Sequence, residues 1–440
     1  MAFTSCIPPA ISAIHFPFEL KKDQMDAAKA WTDNGCRGSV IFSTGTGKTE
    51  IAFECARLAA ERSGQDHFTI LFLVPRIVLI EQNVRRLKRY GISDDHIGIY
   101  YGERKEIREI TISTYQSAIN NYNLIRHANM VILDEVHLVS ESAVAFDSIF
   151  DIIVEDSHKA ILGLTATINE KDPKYQTILT VVPPVKKYMI KDAVIDGRLA
   201  KPIVKAVEVS FTPEEQKSYD EASATIKDIS RKLQAYDPVK MTKILTHGGP
   251  RASMAKMWFA NVRKRKELLS ATRRKLLKAA ELVKRHTGER IMIFSETIDS
   301  IQQLKAILDS NGIPAQTIHN GIKPKERKDI LESWGEDYFP LLSVHTLEIG
   351  YDVPQVGIAI IIASTSNMNQ VAQRIGRVVR KVEGKDQALV YVVYVKGTKD
   401  DNVLKVVKAA IEKEDERAAS ARISKGKRPT QGQKTITKFS

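Results

Sequence analysis

Residues 38-GSVIFSTGTGKTEIAFECARLAAERS-63 place a strand-like apolar run, a glycine-rich turn and a helix-like run in direct succession. In such a turn, Gly45 and Gly47 let backbone N–H groups close around phosphate oxygens at a helix N-terminus, where the helix dipole favours anions. The side chain of Lys48 would reach the β- and γ-phosphates of a nucleotide, and the hydroxyl of Thr49 would bind Mg²⁺. The stretch therefore predicts a nucleotide-binding loop in an α/β domain.

The loop pattern is incomplete at one position, because a glycine normally stands five residues before Gly47 and this chain has Phe42 there. The strand–turn–helix context outweighs that departure, and a chance turn rich in glycine and threonine is the weaker alternative. We assign ATP binding to the whole loop, which comprises Thr44, Gly45, Thr46, Gly47, Lys48, Thr49 and Glu50.

A second signal lies in 130-MVILDEVH-137, where a buried strand ends in two adjacent carboxylates. Asp134 suits Mg²⁺, which prefers oxygen ligands and keeps several of its waters. Glu135 is placed to polarise the water that attacks the terminal phosphate. A strand that ends in Asp-Glu is more often a solvated strand end, but this one follows Lys48 by 86 residues in the strand context that such a site needs. We predict a metal-binding and water-activating pair.

Two sets of short apolar runs, separated by helical patterns, indicate two α/β domains with parallel sheets flanked by helices. The first set comprises 38–44, 69–75, 110–114, 130–135 and 161–167, and the second comprises 290–296, 315–319, 341–345, 356–363 and 388–395. We set the first domain at residues 1–205 and the second at 287–400, followed by a charged helix and a flexible tail over 401–440.

A basic, helix-rich stretch, residues 206–286, lies between the two domains. Within it, 263–285 contains ten basic and two acidic residues. A thumb-like helical insertion over a nucleic-acid strand would explain this charge by contacts with phosphates, and a solvated helical hairpin would explain it without a partner. We expect Trp258 and Phe259 to pack in the core of the insertion rather than to stack on bases.

The composition fits a protein with a polyanionic partner. The 440 residues carry a net charge of +13 and are 43% hydrophobic and 27% charged. Lysine and arginine release counterions when they bind phosphates, although a basic surface also serves solubility. Three scattered cysteines do not make a disulfide framework, and the longest apolar runs are far shorter than a membrane span. We predict a cytoplasmic, nucleoid-associated protein.

Taken in order, the segments resemble the helicases of superfamily 2, and within them the XPB-like branch and its phage repair relatives. Besides the loop and the DEVH run, the matching segments are 20–31, 73–82, 111–117, 163–167, 291–297, 343–356 and 373–380. Each segment is modest evidence alone, but their common order is specific. The resemblance implies two tandem RecA-like domains with a thumb-like insertion, ATP and Mg²⁺ at the site, and DNA as the partner.

The resemblance also assigns roles to single residues. Gln24 would read the adenine, and Gly350 and Asp352 would contribute to the nucleotide site. Contact with nucleic acid, or its coupling to ATP, is implied for Pro75, Arg76, Thr114, Thr165, Thr167 and Thr346. The Arg-Glu-Asp triplet of the family is not kept, since the chain reads 168-INEKD-172, and its role in strand separation is not transferred.

The run 373-QRIGRVVR-380 repeats long polar side chains every three or four residues, so that they line one helical face. Such a face would present guanidinium groups to a γ-phosphate across a cleft, because arginine stays charged and binds phosphate with two hydrogen bonds. We assign Arg377 and Arg380 as arginine fingers and Gln373 and Arg374 as supporting residues, with a solvated basic helix as the alternative. ATP would complete its site only when the two domains close.

These features predict an ATP-dependent DNA helicase or translocase of DNA repair or recombination, and the resemblance favours 3′ to 5′ movement. An RNA helicase, the translocating subunit of a restriction system and a non-enzymatic clamp- and DNA-binding scaffold are the alternatives. The absence of a DEAD spelling at 134–137 argues against an RNA helicase. Intact Lys48, Asp134, Glu135 and Arg377 argue against a scaffold.

The C-terminal run 433-QKTITKFS-440 resembles the peptides that dock on sliding clamps. Gln433 would enter a side pocket, and Ile436 and Phe439 would be the apolar anchors of a single helical turn. The second aromatic of such peptides is missing, since Ser440 stands there, and a disordered tail is the alternative. A sliding clamp and a nuclease are therefore candidate partners, and no membrane partner is expected.

Overall fold

The computed structural model describes residues 9–141, 148–170, 172–344, 356–363, 371, 374–376, 378–381 and 386–412. Over these ranges the chain forms two lobes, each built on a parallel sheet, and a helical arm with its own apolar core. None of the helices described is both long and apolar enough to cross a membrane. The predicted α/β class with two parallel sheets is confirmed.

The first lobe contains an eight-stranded sheet in the order β4-β3-β5-β2-β6-β7-β1-β8, parallel except for the β3–β4 pair. Its strands are β1 (Arg37–Phe42), β2 (Ile70–Val74), β3 (Ile97–Tyr101), β4 (Arg104–Lys105), β5 (Ile110–Thr114), β6 (Met130–Asp134), β7 (Ala160–Thr165) and β8 (Pro184–Tyr188). Its helices are α1 (Lys22–Asp33), α2 (Lys48–Ser63), α3 (Ile77–Arg89), α4 (Tyr115–Ile119), α5 (Asn123–His127), α6 (His137–Glu141), α7 (Ser148–Val154), α8 (Gln176–Val181) and α9 (Ile190–Ile195), with 3-10 turns at Ala10–Ala13, Asp94–His96 and Pro173–Tyr175.

The central strands of this sheet are apolar on both faces, because side chains alternate along a strand and helices cover both sides. In β2, Ile70 and Phe72 pack in the core that includes α2, whereas Leu71 and Leu73 pack in the core that includes α7. The carboxyl ends of the parallel strands share one edge of the sheet. The residues that follow β1, β2, β5, β6 and β7 are therefore brought to that edge, where ligands bind in open α/β sheets.

The second lobe contains a six-stranded parallel sheet in the order β11-β12-β10-β13-β14-β9. Its strands are β9 (Lys201–Val209), β10 (Ile291–Ser295), β11 (Gln316–Ile318), β12 (Pro340–Val344), β13 (Ile358–Ile361) and β14 (Gln387–Val395). The helices from this point of the chain are α10 (Pro213–Leu233), α11 (Pro238–Thr246), α12 (Gly249–Ser270), α13 (Arg273–Arg285), α14 (Ile298–Ser310), α15 (Pro324–Glu332) and α16 (Asp400–Glu412).

The domain boundaries in the structure differ from those that the sequence suggests. Strand β9 begins at Lys201 and pairs with β14 along its whole length, so the second lobe starts before residue 206. Helix α13 packs Leu276 and Leu282 on the second sheet rather than in the arm, and α16 buries Val407 in the core of the lobes. The arm therefore consists of α10, α11 and α12 (residues 213–270) and is an insertion within the second lobe.

The arm packs around a small apolar core of its own. The residues that form this core are Ile226, Ile229, Leu233, Ala235, Met241, Ala255 and Trp258. The indole N–H of Trp258 donates a 2.9 Å hydrogen bond to the Ser230 hydroxyl, and Phe259 packs edge-on against the Trp258 ring. Both aromatic residues contribute to the core of the arm, as expected, and the basic side chains of α12 lie on its outside.

Candidate nucleotide site between the two lobes

The loop between β1 and α2 forms a cradle at a helix N-terminus. Gly45 and Gly47 have positive φ angles of 87° and 86°, which residues with a side chain rarely adopt. The Thr46 hydroxyl donates a 2.7 Å hydrogen bond to the Ser43 carbonyl and closes the turn. The hydroxyls of Ser43 and Thr44 are buried and, within the described residues, have no hydrogen-bond partner. The cradle therefore holds hydroxyl groups that are available to a phosphate.

The carboxylate pair lies beside this cradle, at the end of β6. The Nζ atom of Lys48 lies 3.9 Å from Oε1 of Glu135 and donates to the Phe42 carbonyl over 3.2 Å. Asp134 accepts the backbone N–H of Glu135 at 3.1 Å. Glu135 has a φ of 50°, an unfavourable value that costs on the order of 1–3 kcal/mol and occurs most often at functional sites. The structure thus brings together the lysine and the carboxylates that two separate motifs predicted.

The electrostatics of the pair favour a cation. Burial, followed by the neighbouring charge of Glu135, raises the pKa of the Asp134 carboxyl to about 7, while Lys48 opposes the rise. A nearby cation would favour the ionised carboxylate. The Oε2 atom of Glu135 is buried and accepts no hydrogen bond within the part of the chain that the structure describes. Both observations fit a site that takes a metal ion and a water.

A chain of polar contacts leads from Glu135 to the end of β7. Oε2 of Glu135 lies 3.5 Å from Nδ1 of His137, which lies 3.0 Å from the Thr165 hydroxyl. That hydroxyl donates to the Thr167 carbonyl over 2.9 Å. Thr165 is fully buried, so its side chain does not reach a bound strand. These contacts support the predicted coupling role for both threonines, whereas direct strand contact by Thr165 does not fit its burial.

Gln24 is buried against the cradle. Its Nε2 atom donates to the carbonyls of Thr46 and Gly47 at 3.3 and 3.2 Å, and its oxygen accepts a backbone N–H at 2.8 Å. Glu50 turns towards α3, where it accepts a 3.0 Å hydrogen bond from the Tyr90 hydroxyl. Gln24 thus holds the loop backbone in this structure, and adenine recognition by Gln24 and nucleotide contact by Glu50 stay predictions.

The second lobe meets the cradle through its arginine segment, a name used here for the described residues 371, 374–376 and 378–381. A methyl group placed on Gly376 would lie 2.6 Å from Cβ of Thr44, and one placed on Gly45 would lie 3.5 Å from Cγ of Arg380. Arg380 also forms an antiparallel bridge with Leu199. Its side chain therefore lies at the gap between the lobes, beside the cradle. This is the position that an arginine finger requires, and the finger role itself stays a prediction.

Arg374 does not share that position. Its side chain is 1% exposed, and its Nη2 atom donates to Oε1 of Glu296 over 3.0 Å. Residues six positions apart differ by about 120° around an ideal helix, and the helical residues end at 378, before Arg380. The expectation that Arg374 and Arg380 line one helical face is therefore wrong. Arg374 faces the interior of the second lobe.

The predicted nucleic-acid contacts of the first lobe lie at the carboxyl edge of its sheet. Pro75 and Arg76 follow β2, and Arg76 is the N-cap residue of α3. Thr114 ends β5, and its hydroxyl oxygen accepts the Ser117 N–H at 3.2 Å. Contact of these residues with a strand stays a prediction. Several predicted site residues lie outside the described residues, namely Thr346, Gly350, Asp352, Gln373, Arg377, Gln433, Ile436 and Phe439.

The linker between the lobes contributes a residue that no motif marks. The Nη2 atom of Arg198 donates to the Thr46 carbonyl at 2.8 Å, and its Nη1 atom forms an ion pair with Asp23. The two residues that follow Arg198 make backbone contacts with residues 379–380 of the arginine segment. The linker therefore touches the cradle and the arginine segment at once. In the sequence, the only sign of this was an arginine in a polar turn between two domains.

The donor set fits a nucleoside triphosphate and Mg²⁺. The hydroxyl of Thr49, in the first turn of α2, and the carboxylate of Asp134 are oxygen ligands of the kind that Mg²⁺ takes beside its waters. The buried hydroxyls of the cradle and the helix N-terminus suit phosphate oxygens. Lys48 and Arg380 supply positive charge from opposite lobes.

Two family profiles match the sequence in the two lobes. The family described as "Type III restriction enzyme, res subunit" matches residues 17–170, which include the cradle and the carboxylate pair. The family described as "Helicase conserved C-terminal domain" matches residues 273–382, which include the arginine segment. The arm, residues 213–270, lies between the two matches.

Several relatives match across most of the chain. It is 28% identical to the DNA 3′-5′ translocase XPB2 of Sulfurisphaera tokodaii over 403 residues, which are 89% of this chain and 86% of the relative. It is 27% identical to the DNA 3′-5′ helicase XPB of Kineococcus radiotolerans over 84% of this chain and 58% of the relative. It is 25% identical to the DNA 3′-5′ helicase XPB of Mycobacterium tuberculosis over 87% of this chain and 62% of the relative. The chain thus spans less than two thirds of these two bacterial relatives.

Solved structures share the two-lobe fold. The Pyrococcus furiosus Hef helicase domain superposes with a TM-score of 0.56 at 15% identity, covering 88% of this chain and 99% of that domain. The ATP-dependent Type ISP restriction-modification enzyme LlaBIII bound to DNA superposes with a TM-score of 0.61 at 17% identity, covering 91% of this chain and 30% of that enzyme. Helicases of the matching families use ATP with Mg²⁺. The Thr49 hydroxyl and the Asp134 carboxylate are suitable ligands for that ion. The chain is therefore similar to superfamily 2 helicases of the XPB-like branch, since two family models match its two lobes and relatives named XPB match most of its length.

Proposed function

We propose that the chain is an ATP-dependent DNA helicase or translocase that moves 3′ to 5′ and acts in DNA repair or recombination. The observation that carries the proposal is the meeting of the cradle of one lobe with Arg380 of the other at Gly45. A nucleotide bound between the lobes favours the closed arrangement, and hydrolysis removes that preference. The relatives named for XPB support DNA as the partner and 3′ to 5′ as the direction.

The residues of the site have separate parts in the hydrolysis. Lys48 and Arg380 offset the negative charge that spreads over the transferred phosphoryl group. Glu135 orients the attacking water and accepts its proton. Mg²⁺, when bound, supplies positive charge that neutralises phosphate oxygens. Because Lys48 and Arg380 come from different lobes, fast hydrolysis requires closure.

The basic surface at the base of the arm is the proposed path of the strand. Arg263, Lys264, Arg273 and Arg274 are exposed, at the end of α12 and the start of α13. Contacts of such side chains with phosphates carry no sequence information, but they contribute affinity that falls as salt rises. We therefore expect DNA binding that is strong at low salt and tolerant of sequence.

The direct test measures ATP hydrolysis alone and with single-stranded DNA, duplex DNA or RNA. DNA should stimulate turnover, and Lys48→Ala should abolish turnover under every condition. Stimulation by RNA only would replace the proposal with an RNA helicase, and no stimulation by any nucleic acid would favour a scaffold. Strand displacement on 3′- and 5′-tailed duplexes then reports direction. Translocation along duplex without displacement would favour a motor of the restriction type.

The partners beyond DNA are proposals that rest on sequence alone. Gln433, Ile436 and Phe439 provide the anchors of a clamp-docking peptide at the end of the chain. A chain without residues 433–440 should lose retention on an immobilised sliding clamp, and equal retention would dismiss the peptide. Mass spectrometry of material retained by the full-length chain would identify a partner nuclease. A motor on chromosomal DNA would work inside the cell at the nucleoid.

A further inference from the structure

A buried ion cluster connects the arm to the arginine segment. Glu296, directly after β10, accepts from Nη2 of Arg374 at 3.0 Å with one carboxylate oxygen, and its other oxygen lies 2.9 Å from Nζ of Lys266. The side chains of Glu296 and Arg374 are 2% and 1% exposed, whereas that of Lys266 is 51% exposed. The cluster thus runs from solvent, at the base of the arm, to the interior of the segment that carries Arg380.

The solvent end of this cluster opens into a cleft. The last turns of α12 line one side of the cleft with Arg265, Lys266 and Leu269, and Lys399, directly before α16, lines the other side. The cleft has a volume of about 370 Å³. Three cationic side chains therefore line a cleft that also includes Glu296 among its lining residues. The proposed path of the strand passes the same turns of α12.

Because Glu296 is buried, its partners affect one another strongly. A buried carboxylate is stabilised by the cationic side chains that pair with it, and removal of one partner is costly. When the Lys266 ammonium pairs with another anion, Glu296 loses that ion pair. The Arg374 guanidinium then contributes a larger share of the stabilisation of the Glu296 carboxylate. The position of Arg374 therefore depends on what Lys266 binds, although Lys266 is remote from the cradle in the chain and on a different element.

We propose that Lys266, acting through Glu296, positions Arg374 and with it the arginine segment, so that a nucleic-acid phosphate at the base of the arm accelerates ATP turnover. This inference rests on the proposed function and names the residues that link its two sites. Lys266 and Glu296 are positioning residues, since neither lies at the cradle. The phosphate attracts the Lys266 ammonium and weakens its ion pair with Glu296. The electrostatic interaction between Glu296 and Arg374 then changes in strength.

The test compares two lysines of the same helix. Lys264 is exposed and, within the described residues, has no ion-pair partner, and it lies about 200° around the helix from Lys266. For Lys266→Gln we expect the ratio of DNA-stimulated to unstimulated kcat, at saturating DNA, to fall about fivefold or more. For Lys264→Gln we expect weaker DNA binding but a full ratio once DNA saturates. Lys266→Arg should retain most of the ratio, because it keeps the charge beside Glu296.

The outcomes separate the two levels of the argument. If Lys266→Gln only raises the DNA concentration needed for half-maximal stimulation, as its neighbour does, the lysine is an ordinary phosphate contact and the inference is overturned. If Lys266→Arg loses the ratio as fully as Lys266→Gln, charge is not what matters and the inference is again overturned. If the unchanged protein shows no stimulation by DNA, the proposed function itself fails. Thermal melting of each variant checks that the fold is intact.

Discussion

Gly376 is the point where the second lobe comes closest to the cradle, and Gly376→Ala tests whether that approach matters. The added methyl carbon would lie 2.6 Å from Cβ of Thr44. Non-bonded carbon atoms settle at about 3.5–4.0 Å, so the arginine segment and the cradle must separate by about 1 Å. A displacement of about 1 Å at reacting groups can cost about a hundredfold in rate. We therefore expect kcat for ATP hydrolysis to fall about a hundredfold, by a loss of closure rather than of folding.

The assay measures kcat with saturating DNA together with the affinity for a fluorescent ATP analogue. Affinity should fall much less than kcat, because most of the cradle belongs to the first lobe. Gly321→Ala is the matched control, since its added methyl group would meet only the side chain of His319, at 3.1 Å. Thr44→Gly removes the opposing carbon, and in that background Gly376→Ala should cost little further. Near-normal kcat for Gly376→Ala alone would show that turnover does not need this approach and would refute the reasoning.

Three further substitutions test separate parts of the argument. Arg380→Ala should lower single-turnover hydrolysis about a thousandfold while nucleotide affinity changes little; hydrolysis at the normal rate would remove its finger role. Arg198→Gln should raise the KM for ATP about tenfold, because a hydrogen bond from a charged donor contributes roughly 1.5–3 kcal/mol, and an unaltered KM would assign Arg198 to the linker alone. Lys275→Met leaves the buried Asp400 without its ion-pair partner and should lower the free energy of unfolding by about 3–5 kcal/mol. Urea denaturation compares this variant with Lys278→Met, which removes the partly exposed Lys278–Glu281 pair of the same helix and should cost about 0–1 kcal/mol; equal midpoints for the two variants would contradict the prediction.

The sequence predicts most of the interior strands and the edge strand β11, whereas the interior strand β3 and the edge strands β4, β8 and β9 lie outside the predicted runs. Strands such as β2 and β6 are buried on both faces, so their sequences are nearly continuous in Val, Ile and Leu. Strand β9 lies at the edge of the second sheet and exposes several of its side chains, and its sequence alternates lysine, glutamate and apolar residues. An edge strand has one neighbour and carries charge. Its sequence therefore resembles a polar connection, so the sequence alone suggests a later start for the second lobe than the pairing of β9 with β14 shows.

The candidate site follows the same division. Lys48, Asp134 and Glu135 were predictable because each lies at or just after the end of a buried strand and the parallel sheet brings the strand ends together. Arg198 and Glu296 were not, because each acts through a partner far away in sequence, the Thr46 carbonyl and the Arg374 guanidinium. Helical spacing alone placed Arg374 beside Arg380. Only the packing of the second lobe shows that Arg374 turns inward.

The insertion of the arm within the second lobe makes it a lever. Its base is anchored where Phe211, Tyr219 and Leu269 pack against Val395 at the end of β14, so the arm rotates with the lobe that carries Arg380. Helix α10 has 21 residues, which gives the arm a reach of about 30 Å. At that radius a rotation of about 6–7° moves the far end by about 3.4 Å, the spacing of successive nucleotides along one strand. A small rotation between the lobes would therefore displace the tip of the arm by the length of about one nucleotide, and the base of the arm, where the strand path is proposed, by less.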